Sequence, residues 1–274
     1  MGDFTRSLGT TSTNVQFTGS GGFSALGGKR LVNLGGASNL VTWGSGSFVP
    51  VGSSLTFNSA FADSEIEFRN PINLNARTNT IQVNDNPAFT TDFATLAGSV
   101  TNGALVKTGP GLLVLAGATN RFRGAGLIVS NGTLVVNGAT TSSVLNVFGG
   151  AATINAALAG PVNVVAGGTL GGTGSVGAVT LQSNAVLSVT ILDTLGNSAG
   201  LTVAGLLDVA NVTLQVINTN LLAAGQTYRA VACGSHTNAF AGSNLPEGWT
   251  IDYRYADQIV LRPRGPAGTA VVFR

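Results

Sequence analysis

The sequence repeats a turn followed by a short strand, and the length of this repeat limits the architectures open to the chain. Units begin at Gly111, Gly132, Gly150, Gly168 and Asn184. A new unit therefore starts after roughly 16 to 21 residues, whereas hairpins would repeat every ~8 to 12 residues and would reverse the chain direction each time. A longer repeat suits a coil in which a few short strands complete one turn. The spacing therefore predicts an all-β fold of the β-solenoid type.

Alternating side chains indicate how such a coil would fill its interior. The pleat of a strand sends every second residue to the same side, so we expect Leu134 and Val136 to stack on Leu113 and Leu115 of the preceding turn. Main-chain hydrogen bonds would join turns about 4.8 Å apart. Charged residues make up only 9% of the chain, against roughly a quarter in ordinary domains. The low charge is compatible with a coil of this kind, because backbone pairing and aliphatic stacking, rather than ion pairs, would hold it together.

Composition also argues against several classes of function. The formal net charge is +2 and no basic run occurs, so we expect no nucleic-acid partner. One cysteine, Cys233, and one histidine, His236, cannot build a disulfide or a structural zinc site, and we expect no cofactor and no metal. No run reaches the ~18 apolar residues of a membrane helix. The first residues lack an apolar signal-peptide core, so an export signal is expected outside this chain.

The segment 105–136, LVKTGPGLLVLAGATNRFRGAGLIVSNGTLVV, resembles the autotransporter-associated β-strand repeat, also called the passenger-associated transport repeat. It departs from that pattern at Leu112, Phe122 and Arg123, which all keep a side chain compatible with a strand. The matching positions are Lys107, Gly109, Gly111, Leu113, Leu115, Gly117, Asn120, Gly124, Val129, Gly132 and Leu134.

The resemblance implies a right-handed parallel β-helix, secreted and exposed at or beyond a bacterial cell surface, and it implies no active site. It divides the chain into a β-rich or irregular solenoid region (1–103), a repeat region (104–220), a C-terminal β cap (221–264) and a tail strand (265–274). The arrangement of the first hundred residues stays open between turns of irregular length and a separate β layer.

Three carboxylates at alternate positions form the first candidate binding site. A strand through Asp63, Glu65 and Glu67 would display all three on one face, as a Ca²⁺ site or an acidic polysaccharide groove would require. A solvated strand face explains the same pattern and is the preferred interpretation, because like charges also protect an edge from aggregation.

Several other motifs have a structural interpretation that we prefer to a catalytic one. The sequence Cys233-Gly-Ser-His236 could pair a thiolate with an imidazole, but a buried thiol and a histidine in a Gly-Ser loop fit it better. The run 172–177 matches G-x-G-x-x-G without the helix that a dinucleotide site needs. We expect Lys107 to cap a turn by donating to carbonyl groups. The aromatic residues are expected mainly inside the coil; those considered for sugar contact are Trp43, Phe48, Phe57, Phe122 and Trp249.

The tail contains a short apolar strand that follows a proline-rich break. Its residues Ala270, Val271, Val272 and Phe273 either fold back on the same coil, which we favour, or pair with the open end of another copy by strand addition. The second alternative would produce a homo-oligomer or a filament.

Two hypotheses about function remain at this point. The first is a non-enzymatic secreted structural protein that acts in adhesion, surface presentation or self-assembly, with a surface glycan or a host or cell-surface ligand as a further partner. The alternative is a polysaccharide-active β-helix enzyme, a lyase or a hydrolase. The enzyme would bring at least two carboxylates into one groove with a basic residue. The carboxylates to place are Asp63, Glu65, Glu67, Asp85 and Asp92.

Overall fold

The computed structural model describes residues 3–265, which form an all-β structure with one short 3₁₀ helix, η1, at Thr219–Leu221. The strands are β1 Gly21–Phe23, β2 Arg30–Val32, β3 Val41–Thr42, β4 Ser54–Phe57, β5 Ile66–Phe68, β6 Ile72–Val83, β7 Ala94–Leu96, β8 Val100–Thr108, β9 Leu112–Leu115, β10 Thr119–Val129, β11 Thr133–Val136, β12 Ala139–Ser142, β13 Leu145–Val147, β14 Ala151–Ile154, β15 Leu158–Ala159, β16 Val162–Val164, β17 Thr169–Gly171, β18 Ser175–Val176, β19 Val179–Leu181, β20 Val186–Ile191, β21 Ser198–Ala199, β22 Thr202–Asp208, β23 Thr213–Ile217, β24 Tyr228–Thr237, β25 Gly242–Ser243, β26 Trp249–Asp252 and β27 Gln258–Pro263.

The strands build two long sheets whose members come from successive turns of the chain. One sheet has 16 strands along the path β1-β4-β6-β8-β10-β12-β15-β18-β22-β24-β27-β26, with β3, β13, β16 and β19 beside it. The other has 11 strands along the path β2-β5-β7-β9-β11-β14-β17-β20-β23-β25, with β21 beside β20. Pairing along both paths is parallel until β27 and β26. The chain is therefore a parallel β-helix, which confirms the predicted fold class.

The interior is a column of aliphatic side chains in register. Leu134 pairs with Leu113, and Val136 pairs with Leu115, between β11 and β9. None of these four side chains has solvent-exposed area. Burying one such side chain contributes about 1.5 to 3 kcal/mol, and every turn repeats the contact. The predicted stacking between the two turns is confirmed.

The first hundred residues continue the same coil with longer turns. Val32 is the register partner of Phe68, whereas Leu134 is the register partner of Ala152, so one turn takes up twice as much sequence at Val32 as at Leu134. Longer turns enclose a wider interior, and larger side chains fill it: the ring of Phe68 lies 5.9 Å from the ring of Phe57. This segment therefore consists of turns of irregular length, which decides between the two arrangements left open by the sequence.

Strands β6, β8 and β10 are long because each crosses a bend of the 16-stranded sheet. The bend needs left-handed backbone conformations, which occur at Asn75, Ala76, Asn102 and Gly124 with φ between 55° and 64°. Asparagine and glycine adopt this conformation readily, but alanine does so at a cost of about 1 kcal/mol or more. The bend therefore stores some strain at Ala76.

The C-terminal end of the coil is covered by antiparallel strands. Strand β27 pairs antiparallel with both β24 and β26. Asp252 of β26 accepts hydrogen bonds from Arg254 at 2.6 to 3.0 Å and lies 2.8 Å from Arg262 Nε. The Arg254 side chain lowers the pKa of the Asp252 carboxyl to about 2, against a smaller opposing effect of burial. These strands form the β cap expected from the sequence.

Candidate functional site

The predicted acidic face of β5 is paired with cations. Glu65 and Glu67 point outward on either side of buried Ile66. The Lys29 ammonium lies 3.0 Å from Glu65 Oε2 and 2.5 Å from Glu67 Oε2, and Arg69 Nε donates to Glu67 Oε1 at 2.8 Å. Two cations thus balance two carboxylates across neighbouring turns.

The titration of this cluster reflects the pairing. Partial burial raises the pKa of Glu67, but hydrogen bonds from Lys29 and Arg69 outweigh burial and hold the pKa below its ordinary value. The hydrogen bond to Glu67 raises the pKa of Lys29, and burial opposes it more weakly. Both groups therefore stay charged at neutral pH and hold adjacent turns together.

Asp63 does not share the strand face that the alternation predicts. Strand β5 begins at Ile66, and Asp63 lies in the loop before it. Both carboxylate oxygens accept the Gly27 N–H, at 2.8 and 3.0 Å, and the Ser64 hydroxyl donates to Oδ1 at 2.7 Å. The Ser64 hydroxyl is the main reason that the pKa of Asp63 lies below its ordinary value. The prediction of three carboxylates on one strand was wrong: only Glu67 lies within β5, Glu65 directly precedes that strand, and Asp63 instead fastens one loop to the next.

A second pair of carboxylates lines one surface pocket of about 400 Å³. Asp92 is almost fully buried and accepts the Asn86 N–H at 2.6 Å, and Asp85 lines the same pocket. Phe89 and Phe93 supply aromatic walls. Among the described lining residues none is a lysine, an arginine or a histidine. Within residues 3–265 no group of three or more His, Cys, Asp or Glu side chains could hold a metal ion.

The pocket exists because the loops at one corner of the coil change length abruptly. We call the segments 24–29, 58–65 and 84–93 the corner loops; each joins a strand of the 16-stranded sheet to a strand of the 11-stranded sheet. Hydrogen bonds stack them, such as Asn86 Nδ2 to the Ala62 carbonyl at 2.8 Å. The next such connection, residues 109–111, is much shorter than the loop 84–93, so that loop extends beyond it.

Each corner loop carries a large apolar side chain into solvent. Leu26 is 66% exposed, Phe61 is 82% exposed and Phe89 is 47% exposed. Exposed apolar residues that recur at one place are typical of interaction surfaces. No local pattern in the sequence predicts this grouping, because each side chain is an isolated exposed apolar residue in a mostly polar loop.

Lys107 is the buried cation of the repeat. Its ammonium donates to the carbonyl groups of Thr108 at 2.9 Å, Gly109 at 2.8 Å and Asn131 at 3.1 Å. The last contact reaches the following turn, so this lysine caps two corners at once. Burial lowers the pKa of Lys107 to about 8, although Asp85 opposes the change. The turn-capping contact is the one that the sequence led us to expect.

The other repeat positions also hold turns against each other. Asn120 accepts the Val100 N–H at 3.0 Å and donates to the Gly117 carbonyl at 3.2 Å. A Cβ atom at Gly132 would lie 2.4 Å from the Gly109 carbonyl oxygen, so only glycine fits this corner. The same close approach occurs at Gly109, Gly111 and Gly117.

Cys233 and His236 make no hydrogen bond with each other in the described part of the chain. Both lie on β24, not in the loop that Gly-Ser suggested, because this segment continues the parallel register with β22. The thiol is buried, and burial raises its pKa. The imidazole Nε2 lies 2.7 Å from the Tyr255 carbonyl oxygen. The thiol therefore stays protonated at neutral pH and serves as a packing group.

The remaining sequence motifs have structural positions. Residues 172–177 directly follow β17 and include the short strand β18, so a strand of the coil and not a helix follows the glycines. Trp43, Phe48, Phe57 and Phe122 are buried and fill the interior, whereas Trp249 of the cap is partly exposed. The proposed tail strand, Ala270 to Phe273, lies outside the described residues.

Comparison with known proteins adds no further assignment. No family model, curated protein or solved structure matches the chain. Within residues 3–265 no helix is long and apolar enough to cross a bilayer.

Proposed function

We propose that the protein is a structural β-solenoid of a bacterial cell surface or secreted assembly, which presents its corner loops to a ligand or to other copies. The resemblance of segment 105–136 to the autotransporter-associated repeat supports the location. In this proposal the role of the protein is adhesion or self-assembly.

One observation carries the proposal: loop length varies at one corner while the strand register beneath it is preserved. The corner loops lengthen steadily along the chain, from 24–29 through 58–65 to 84–93, yet Ile66 pairs with Ala94 and Ala94 pairs with Leu113 without a shift. Buried Leu113 and Ala94 keep the coil in place whatever the loop carries. A scaffold of this kind separates stability from display, since the stacked backbone supplies the first and the loops supply the second.

Two experiments test the proposal. Antibodies should detect the protein on the surface of intact cells of the organism that encodes it, or in the culture medium. Exclusive retention of the protein inside the cell would contradict the proposal. For display, a triple variant with serine at Leu26, Phe61 and Phe89 is compared with the control variant Leu192→Ser/Leu195→Ser, whose side chains are exposed elsewhere. We expect only the triple variant to lose cell adhesion or self-association at unchanged thermal stability.

A polysaccharide hydrolase is the second candidate, because Asp85 and Asp92 share one pocket; the described lining has no basic residue, as a lyase would need, whereas a hydrolase uses a pair of carboxylates. Two carboxylates beside Phe89 suit a sugar that stacks on the ring. In an assay with a panel of acidic and neutral polysaccharides, this function predicts cleavage that Asp85→Asn or Asp92→Asn abolishes. Absence of cleavage across the panel would contradict it.

A further inference from the structure

A notch on the bend of the 16-stranded sheet brings together two arginines from different turns of the coil. Arg77 of β6 and Arg123 of β10 line opposite walls of this notch, whose volume is about 190 Å³. Gly103 and Ala104 of β8 form its floor.

The notch arises because the middle strand takes a shorter path around the bend. Asn73 and Asn79 of β6 are six residues apart, and so are Arg121 and Leu127 of β10. Both pairs are in register with residues 101 and 105 of β8, which are only four residues apart. The two outer strands therefore project further than the strand between them. The floor also stays bare, since a Cβ atom at position 103 would lie 2.5 Å from the Arg77 carbonyl oxygen.

The two guanidinium groups face a common space across one intervening strand. Gly103 is the register partner of both Arg77 and Phe122, the residue before Arg123. Two strand spacings separate the walls by ~9.6 Å, a gap that both long side chains span. Within residues 3–265 neither guanidinium makes an ion pair or a hydrogen bond. The lining of the notch, all of it described, includes no aspartate or glutamate.

Two unpaired guanidinium groups that converge on a small cleft are suited to an oxyanion, because the planar fork of arginine binds carboxylate and sulfate groups with two parallel hydrogen bonds. Beside the notch, the outward residues Asn73, Thr101, Arg121 and Thr141 are in register along the coil axis. Three of these four residues carry neutral amide or hydroxyl groups, which match the hydroxyls of a sugar chain more closely than the closely spaced phosphates of a nucleic acid, and Arg121 adds one further positive charge beside the notch.

We propose that this notch binds a carboxylate or sulfate group of an extended acidic polysaccharide, with Arg77 and Arg123 as the anion-binding residues. The site goes beyond the display function proposed above, because it lies on a different face from the corner loops and requires no surface location.

Binding of the whole 274-residue chain to polygalacturonate and to dextran sulfate, measured by biolayer interferometry at low ionic strength, tests the proposal. The first polymer offers carboxylates and the second offers sulfates, and neutral dextran is the control polymer. We expect binding to at least one acidic polymer. The variant Arg77→Gln/Arg123→Gln should lower the affinity at least tenfold, and Thr78→Glu, which places a carboxylate in the notch, should do the same.

The matched control is Arg6→Gln/Arg229→Gln, which removes two exposed positive charges elsewhere and should leave the affinity within about twofold. All altered side chains are exposed, so thermal midpoints should be unchanged. Equal loss in the notch and control variants, binding to no acidic polymer, or tighter binding to single-stranded DNA would each overturn the proposal.

Discussion

Lys107 makes the free energy of unfolding rise with pH, whereas a lysine that gains an acidic partner on folding makes it fall. It is one of two lysines in the chain and is buried against three carbonyl oxygens. Below pH 8 the lysine is protonated in the folded and in the unfolded state, so the folded state bears the cost of a buried charge. Above pH 8 the folded state loses the proton first, because its pKa is about 8.

The magnitude follows from the two pKa values. An unfolded lysine titrates near ~10.4, so between about pH 8 and 10 the unfolded state binds more protons than the folded state. The free energy of unfolding then rises with pH. A folded pKa of about 8 gives a rise of up to ~2 kcal/mol between pH 7 and 9.5. Screening by nearby water reduces this to about 1 to 2 kcal/mol.

Urea unfolding of the wild type, Lys107→Met and Lys29→Met, followed by circular dichroism from pH 7 to 9.5, measures this effect. Lys107→Met should be less stable at pH 7 by about 1 to 3 kcal/mol, because three carbonyls lose their donor. Its deficit should grow with pH, since only the wild type gains stability. Lys29→Met is the matched control: the pKa of Lys29 is raised, so this lysine does not titrate in the range.

Cys233 and Tyr253 have raised pKa values and also titrate in alkali, but every protein in the series keeps them, so they cancel in the differences. Parallel pH profiles for the wild type and Lys107→Met would refute the reasoning.

Three further experiments test the packing of the coil and the pairing in its cap. Leu134→Ala should lower the free energy of unfolding by about 2 to 5 kcal/mol in denaturant melts, and a loss below about 1 kcal/mol would contradict a filled column. Asp252 has a pKa of about 2, so its contribution to stability is present above about pH 4 and is lost as the pH falls toward 2. Asp252→Asn should therefore destabilise the cap at pH 7 by about 1 kcal/mol and weaken the loss of stability between about pH 4 and 2. An unchanged loss of stability at acid pH would count against the pairing with Arg254. Gly132→Ala should cost more than Gly124→Ala: both have positive φ, but only position 132 places Cβ against a carbonyl. Equal melting temperatures would contradict this close approach.

Sequence alone predicted the parts of the fold that depend on local alternation. Leu113 and Leu134 occupy equivalent places in a repeated pattern, so their stacking followed from the pleat and the spacing. The capping contact of Lys107 also followed, since a lysine beside a tight glycine corner has carbonyl groups within reach.

Contacts between distant turns could not be predicted in this way. Lys29 meets Glu67 from one turn of the coil to the next, whereas the cations close to Glu67 in the sequence are Arg69 and Arg77. Strand β3 is two residues long, too short for its period to be recognised. The convergence of Arg77 and Arg123 depends on a small difference in the path that neighbouring strands take around a bend, and no local pattern encodes this difference.

Disulfide cross-linking tests the stacking of successive turns in parallel register most directly. In a Cys233→Ser background, cysteines replace the outward register partners Val135 and Thr153. Their Cα atoms should lie ~4.8 Å apart, within the range of about 4.4 to 6.8 Å that a disulfide bridges. A control pair at Val135 and Ala151 is offset along the strand and should lie ~8 Å apart. Mild oxidation should link the first pair within one chain and leave the control pair as free thiols; equal or faster cross-linking of the control would contradict the register.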